Sequence, residues 1–224
     1  MSLEKGRQYY QYERKDLLAL VPPSAKKILE IGCGEANFGK AIKERNPDVE
    51  YTGVEMDKAS AQIARQRINK VIEGNIDILN LPFDNKYFDC IITLDLLEHL
   101  ADPWQTIKKL RPLLDDHGVW VVSIPNVRHY RVIYQLLTGY WDYTQQGILD
   151  KTHLRFFTFI GMKEMFAETG FKIKAIGRNI DATNILKIAH AMSFNLLEDF
   201  VTYQYYLVLE KDTERKTTRR LHKS

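Results

Sequence analysis

Residues 28–39 read ILEIGCGEANFG. A short apolar run, Lys27 to Ile31, stops at Gly32, and a helical pattern takes over from Phe38 to Arg45, where Asn46-Pro47 ends it. Strand, glycine turn and helix make the first half of a β-α-β unit, and the same rhythm continues outward. Val49–Val54 reads as a second strand. Asp57 is placed to cap a helix running to Arg67, with Ala61, Ala64 and Ile68 on one face. Lys70–Glu73, Asp89–Leu94 and Gly118–Ile124 read as further strands, and a helix over Asp102–Leu113 separates the last two. Beyond Asn126 come a long excursion, a helix from a Thr158 cap to a Gly170 stop, a strand at Phe171–Ile176, a helix at 184–200 and a final strand at Thr202–Glu210. Strands alternating with helices predict an α/β fold, a mostly parallel, seven-stranded twisted sheet with helices on both faces. On such sheets ligands bind outside the carboxyl ends of the strands, at the switch point in strand order.

The loop after the first strand is therefore where a ligand is expected, and its charges narrow the choice. Glu30 stands just before the glycines, and Glu55 ends the second strand, 21 residues after Gly34. An acid at that strand end takes two ribose hydroxyls. Two carboxylates beside a pyrophosphate would repel it, and the third glycine of a dinucleotide loop is replaced by Asn37. A ribonucleoside without phosphate and with a cationic end suits both acids. S-adenosylmethionine, with its sulfonium and amino groups, is such a ligand.

With ILEIGCGEANFG (28–39), GVEMD (53–57), EGNIDILNLPFDNKYFDCII (73–92), LDLLEHLADPW (94–104) and RPLLDDHGVWVVSIPN (111–126), the chain resembles the class I S-adenosylmethionine-dependent methyltransferases, a Rossmann-like fold. Its flanks, YYQYERKDLLALVPPSAKKILEIG and GILDKTHLRFFT, resemble a bacterial subgroup associated with glycosyltransferases of surface-polysaccharide pathways. The resemblance implies that Gly32, Cys33 and Gly34 bring the backbone to the methionine and ribose parts, with Glu30 orienting the loop. It implies that Glu55 holds the ribose, that Met56 packs on the adenine, and that Asn75 and the Ile76 N–H meet the ring edge. The Leu94 carbonyl and Asp95 are implied at the methionine amino group. Asn75 stands where the family often has Asp. The implied reaction leaves S-adenosylhomocysteine, and the acceptor is expected to be a small molecule or carrier-linked sugar methylated on oxygen. The alternatives are an RNA 2′-O-methyltransferase and a non-catalytic binding partner of a glycosyltransferase.

An alcohol acceptor needs a base. His99, following Glu98, and His153, in THLRFF, are the candidates. Either histidine could instead cap its helix or hold the loop above it. Asp95, Glu98, His99 and His153 resemble the Glu/Glu/His/His metal set of small-RNA 2′-O-methyltransferases and a similar set in quinone-pathway O-methyltransferases; Asp95 and Glu98, three apart, can share one face of a helical turn, and oxygen with imidazole suits a divalent ion. No metal is assigned on this pattern. The excursion carries Tyr130, Tyr134, Tyr140, Trp141 and Tyr143. A stretch of that length reads as an aromatic lid inserted after the fifth strand, at 127–157, suited to an amphipathic ring, or as a contact surface for a possible homodimer. Tyr9, Tyr10 and Tyr12 precede a short helix at Lys15–Leu20, within an N-terminal segment 1–24 that can fold over the site.

Composition bounds the rest. The chain has 224 residues, 45% hydrophobic and 27% charged, enough for one large domain over 1–210. Two cysteines make neither a disulfide framework nor a four-ligand zinc site. With no signal-like or membrane-spanning run, a cytoplasmic protein is expected. Six Lys/Arg against two acids give residues 211–224 a net +4, so residues 1–210 carry −1 of the whole-chain +3. The basicity belongs to a tail rather than to a folded face, which argues against nucleic acid as the partner.

Overall fold

A computed structural model of the chain describes residues 15–183 and 197–213. Its elements in chain order are α1 (Lys15–Leu18), β1 (Lys27–Ile31), α2 (Asn37–Arg45), β2 (Glu50–Glu55), α3 (Lys58–Ala64), β3 (Lys70–Glu73), β4 (Phe88–Leu94), α4 (Pro103–Leu110), β5 (Leu114–Pro125), α5 (Tyr130–Leu137), α6 (Phe159–Glu168), β6 (Phe171–Ile180), α7 (Glu198–Val201) and β7 (Thr202–Lys211). The seven strands follow the order β3-β2-β1-β4-β5-β7-β6. β1 lies between β2 and β4, so the order reverses there and the ILEIGCG loop leaves the sheet at the switch point. Two compact units make up the chain, one of residues 1–94 and 109–121, the other of 95–108 and 122–224.

In the first unit β1 pairs in parallel with β2 and β4, and β2 with β3. The register sets Ile31 beside both Val54 and Thr93, so three strand ends finish level and Glu55 comes next to the glycine loop. Four of the five β1 residues are buried, the pattern of a central strand covered on both faces. Tyr51, Val54, Ile91, Ile92 and Trp120 complete this core, with the Trp120 indole N–H donating to Thr93 Oγ1 at 3.0 Å. Asp89 fixes the start of β1 by accepting from the Lys26 and Lys27 amides, 2.7 and 2.9 Å. The helix expected to reach Arg67 ends at Ala64, and its predicted cap is present, Asp57 accepting from Ser60 N at 2.8 Å. The helix expected to Leu113 gives way to a 3₁₀ turn at Arg111–Leu113, where Pro112 stands, and β5 begins at Leu114 rather than Gly118.

In the second unit β6 and β7 are antiparallel, which makes the sheet mixed although most of its characterised pairs are parallel. Thr158 caps α6 through Gly161 N at 3.2 Å, and Gly170, at φ 85°, follows its end. The excursion after β5 holds a helix that the sequence reading did not foresee, α5. Val132, Ile148 and Leu149 form a small core under it, with Val127, Trp141, Phe156 and Tyr203 packed alongside. Trp141 therefore lies against the body, while Tyr134, Tyr140 and Tyr143 face solvent. β7 extends to Lys211, a buried residue, one place beyond the expected end of the domain at 210. The N-terminal tyrosines, most of the helix expected at 184–200 and the tail from residue 214 lie outside the described residues. Among the described residues no helix is long and apolar enough to cross a membrane.

Candidate functional sites

The glycine loop spends its amides on the protein. Gly32 N and Cys33 N both donate to Val54 O, at 2.8 and 3.1 Å, and Ala36 N donates to Cys33 O at 2.8 Å. Gly34 N donates to Glu55 Oε2 at 2.7 Å, while the other Glu55 oxygen accepts from Asp57 N, also at 2.7 Å. Gly32 and Gly34 sit at φ 73° and 54°, and Ala36 at 56°, left-handed conformations that let the chain double back over the end of β2. A pyrophosphate site needs loop amides pooled toward an anion. Here three of them close the turn, and the fourth goes to a carboxylate that would confront the phosphate. Each oxygen of a carboxylate offers two lone-pair directions, so Glu55 retains acceptor capacity for hydroxyl donors.

Glu30 lies beneath the loop rather than in it. It is buried and accepts from Tyr51 O–H at 2.9 Å. Burial, with Glu30 beside it, pushes the Tyr51 phenol well up, and burial followed by Glu30 and Glu55 raises the Cys33 thiol too, so neither is a nucleophile at neutral pH. Arg67 adds a clamp that the sequence reading missed, donating to Glu35 O at 2.8 Å, Glu35 Oε2 at 3.2 Å and Asn37 Oδ1 at 2.7 Å. Asn37, in place of a third glycine, is thus used to tie the loop to the end of α3.

Beyond Glu55, Met56 leaves 68% of its surface exposed, an apolar face beside a polar strand end. Gly74 N donates to Glu55 O at 2.8 Å and brings the loop after β3 alongside. Asn75 Oδ1 accepts from Asp77 N at 2.9 Å in an Asx turn, and Ile76 is buried with its carbonyl bonded to the Lys109 ammonium. Burial lowers the Lys109 pKa. Leu94 closes β4 one residue past Thr93, which is level with Ile31 and Val54. Acids, an exposed thioether and an amide-poor loop suit a ribonucleoside that brings no phosphate.

The second unit gathers the other candidates. Asp95, in the left-handed region at φ 50°, donates its N–H to Ser123 Oγ at 3.0 Å, and its Oδ1 accepts from Ser123 O–H at 2.9 Å and from the Gln204 amide. Sequence reading missed both partners, which come from β5 and β7. Glu98 and His153 are buried, with His153 Nε2 4.0 Å from Glu98 Oε1. The His99 and His153 rings meet edge to face, centroids 4.6 Å apart. Glu98 O accepts from Leu154 N at 2.8 Å and Arg155 N at 3.0 Å, which clips the 152–155 loop onto the turn bearing Glu98. His99 and His153, 54 positions apart in the chain, are thereby brought together. Arg155 donates to Ala101 O.

Comparison with known proteins agrees with this architecture. A family model described as a methyltransferase domain matches residues 3–176. A ubiquinone biosynthesis O-methyltransferase of Acinetobacter baylyi is 24% identical over 160 residues, 67% of this chain and 65% of its own length. A demethylmenaquinone methyltransferase of Thermotoga maritima is 25% identical over 177 residues, 71% of this chain and 76% of its own. The match thus spans just under two thirds of the first relative and three quarters of the second. The crystal structure of a SAM-dependent methyltransferase from Archaeoglobus fulgidus superposes with a TM-score of 0.65 at 19% identity, covering 91% of this chain and 97% of that one, a likeness of fold.

Proposed function

This chain belongs to the methyltransferase-domain family of class I S-adenosylmethionine-dependent enzymes, and from that premise we propose that it methylates an oxygen of a small molecule or carrier-linked sugar. The observation that carries the donor's identity is the bonding of the loop: Gly32, Cys33, Gly34 and Ala36 amides turned inward, and Glu55 at the end of β2. When bound, S-adenosylmethionine supplies a methyl group already activated by a sulfonium, so the protein's work is to orient, to exclude water and to receive a proton.

Glu55 accepts the ribose hydroxyls, and Met56 lays its exposed side chain on the adenine. The Asn75 side chain and Ile76 N–H meet the ring edge, and the Leu94 carbonyl and neighbouring Asp95 take the methionine ammonium. Gly32, Cys33 and Gly34 supply the close backbone wall, with Glu30 holding it from below through Tyr51. On the acceptor's side His99 and His153 handle the hydroxyl, and segment 127–157 shields it from water. The quinone-pathway names of the relatives support a small-molecule acceptor as a class. The association with glycosyltransferases rests on the flanking motifs alone.

Calorimetry with S-adenosylmethionine and S-adenosylhomocysteine tests the donor, with saturable binding of both expected. Methyl transfer from labelled donor to a fractionated bacterial small-molecule extract tests the acceptor. Binding of a dinucleotide in preference to both donor forms would overturn the reading.

A further inference from the structure

We infer that Ser123 and Gln204 are positioning residues that aim the Asp95 carboxylate at the α-ammonium of the bound nucleoside, and so let the chain prefer nucleosides that carry an amino acid over those that lack one. The inference rests on the donor reading above and deepens it. Three separate pieces of chain meet at one carboxylate. Asp95 is the first residue past β4, Ser123 lies in β5 and Gln204 in β7.

The bonds form a bracket. Asp95 donates its N–H to Ser123 Oγ at 3.0 Å and to Ser123 O at 3.2 Å, and Ser123 returns its hydroxyl hydrogen to Asp95 Oδ1 at 2.9 Å. A serine hydroxyl has one hydrogen and two lone pairs, so this exchange uses the hydrogen on the carboxylate and a lone pair on the amide. The Gln204 side chain donates to the same Oδ1. Only its nitrogen can give a hydrogen to a carboxylate, which fixes the orientation of the amide as well. Ser123 and Gln204 are buried, at 0% and 8% exposure, whereas Asp95 is half-buried. The backbone is bent to complete the bracket. Asp95 sits at φ 50°, a left-handed conformation that residues other than glycine adopt rarely, and there its amide and its side chain both reach the same serine.

The chemistry of the two anchors fits recognition of a cation. Both are neutral donors, so neither cancels the charge of the carboxylate. A lysine or arginine at position 204 would compete with the ammonium, while a glutamine gives direction without charge. A carboxylate offers about four acceptor directions, more than these two bonds use. An ammonium–carboxylate contact is short, about 2.7–2.9 Å, and a side chain left to rotate would meet it only part of the time. Donors carried by two strands of the sheet fix the rotamer in the folded chain, so that little ordering is left for the binding step.

S-adenosylhomocysteine and 5′-methylthioadenosine share the adenosine and the thioether, and only the first has the amino acid. By calorimetry the full chain is expected to bind S-adenosylhomocysteine at least tenfold more tightly. Gln204→Met, which keeps the length of the side chain without its amide, and Ser123→Ala should each weaken S-adenosylhomocysteine binding about tenfold and leave methylthioadenosine binding within about twofold. Added to Asp95→Gly, whose backbone suits the left-handed φ, Gln204→Met should cause less than about a twofold further loss, because it acts through Asp95. Circular dichroism checks folding. If Gln204→Met does not fold, Ser123→Ala carries the test, since it leaves the Asp95 N–H with Ser123 O as acceptor. Equal wild-type affinity for the two nucleosides, equal weakening of both in the folded variants, no weakening of either, or a full further loss in the double variant overturns the positioning role and leaves the donor assignment standing. A wild-type chain that binds neither nucleoside overturns the donor assignment, and this inference with it.

Discussion

Glu55 is committed twice over, to Gly34 N and to Asp57 N, each at 2.7 Å, and this dual engagement shapes what its loss should do. Truncation removes the acceptor for the ribose and also the tie that holds the glycine loop against β2. Hydrogen bonds to a charged group contribute about 1.5–3 kcal/mol each, so loss of even one in Glu55→Ala should weaken S-adenosylmethionine binding roughly 10- to 150-fold by calorimetry. Of the two amides freed, Gly34 belongs to a buried residue and Asp57 to an exposed one, so unfolding in urea should also shift, by about 1–3 kcal/mol. Gly53 works on the same loop from behind. A Cβ there would stand 2.5 Å from Cys33 Sγ and 2.8 Å from Ile68 Cδ1. Gly53→Ala should therefore cost about 1–3 kcal/mol of stability and weaken donor binding as well, because Cys33 must give way and carries the loop with it. Unchanged donor affinity in a destabilised Gly53→Ala protein would show that the loop does not depend on its packing. The glycines and the two acids were readable in sequence because each type has a specific backbone or charge consequence. Arg67, Ser123 and Gln204 were not, since what matters in each is a partner about thirty to a hundred positions away, and an arginine or glutamine in isolation carries no sign of it.

Elements were legible where the residue at their end has its own chemistry. Asp57 and Thr158 each cap a helix as their types predict. α5 was missed for the complementary reason. Its N-cap, His129, makes no side-chain cap hydrogen bond, so no start signal marks it in the sequence. At eight residues it is also too short for its period to stand out from the aromatic run around it. The first half of β5 was hidden by Asp115, Asp116 and His117, polar residues that read as a turn. The caps allow a test with a pH signature. Asp57→Ala should cost about 1 kcal/mol at pH 7. The Ser60 amide, then its side chain, holds the Asp57 pKa below the usual carboxylate value. For a group so depressed, the contribution is present above the unfolded value, about 4, and is lost as pH falls through the lower folded value. Urea unfolding of both proteins at pH 7 and pH 3 should show the gap closing in acid. A gap of equal size at both would mean that the carboxylate charge is not what caps α3.

Across the whole molecule the parallel half of the sheet was legible because strands and helices alternate there, whereas the antiparallel β6–β7 pairing was not, since it depends on how the chain returns between them. The body's near-neutral charge was legible too, and it leaves buried single groups rather than net charge to govern stability against pH. His129 Nε2 donates to the Asp181 carbonyl, 2.8 Å away, and burial lowers its pKa, opposed by that bond and by the Asp181 charge, while Arg131 lowers it further. Its unfolded form protonates first, near pH 6.5, so stability should fall as pH drops through that value and level off once the folded imidazole also titrates. On the alkaline side Cys33 and Cys90 are raised, chiefly by burial, as are the Tyr51 and Tyr205 phenols. The unfolded chain ionises these first, thiols near pH 8.5 and phenols near 10, so that stability present below those values should be lost above them. Urea midpoints are thus expected to be highest between about pH 6.5 and 8.5 and to decline on either side. His129→Phe, which keeps a ring in the same pocket, should flatten the acid limb near pH 6 and leave the alkaline limb as it was; an acid limb of undiminished slope would assign that titration to another group.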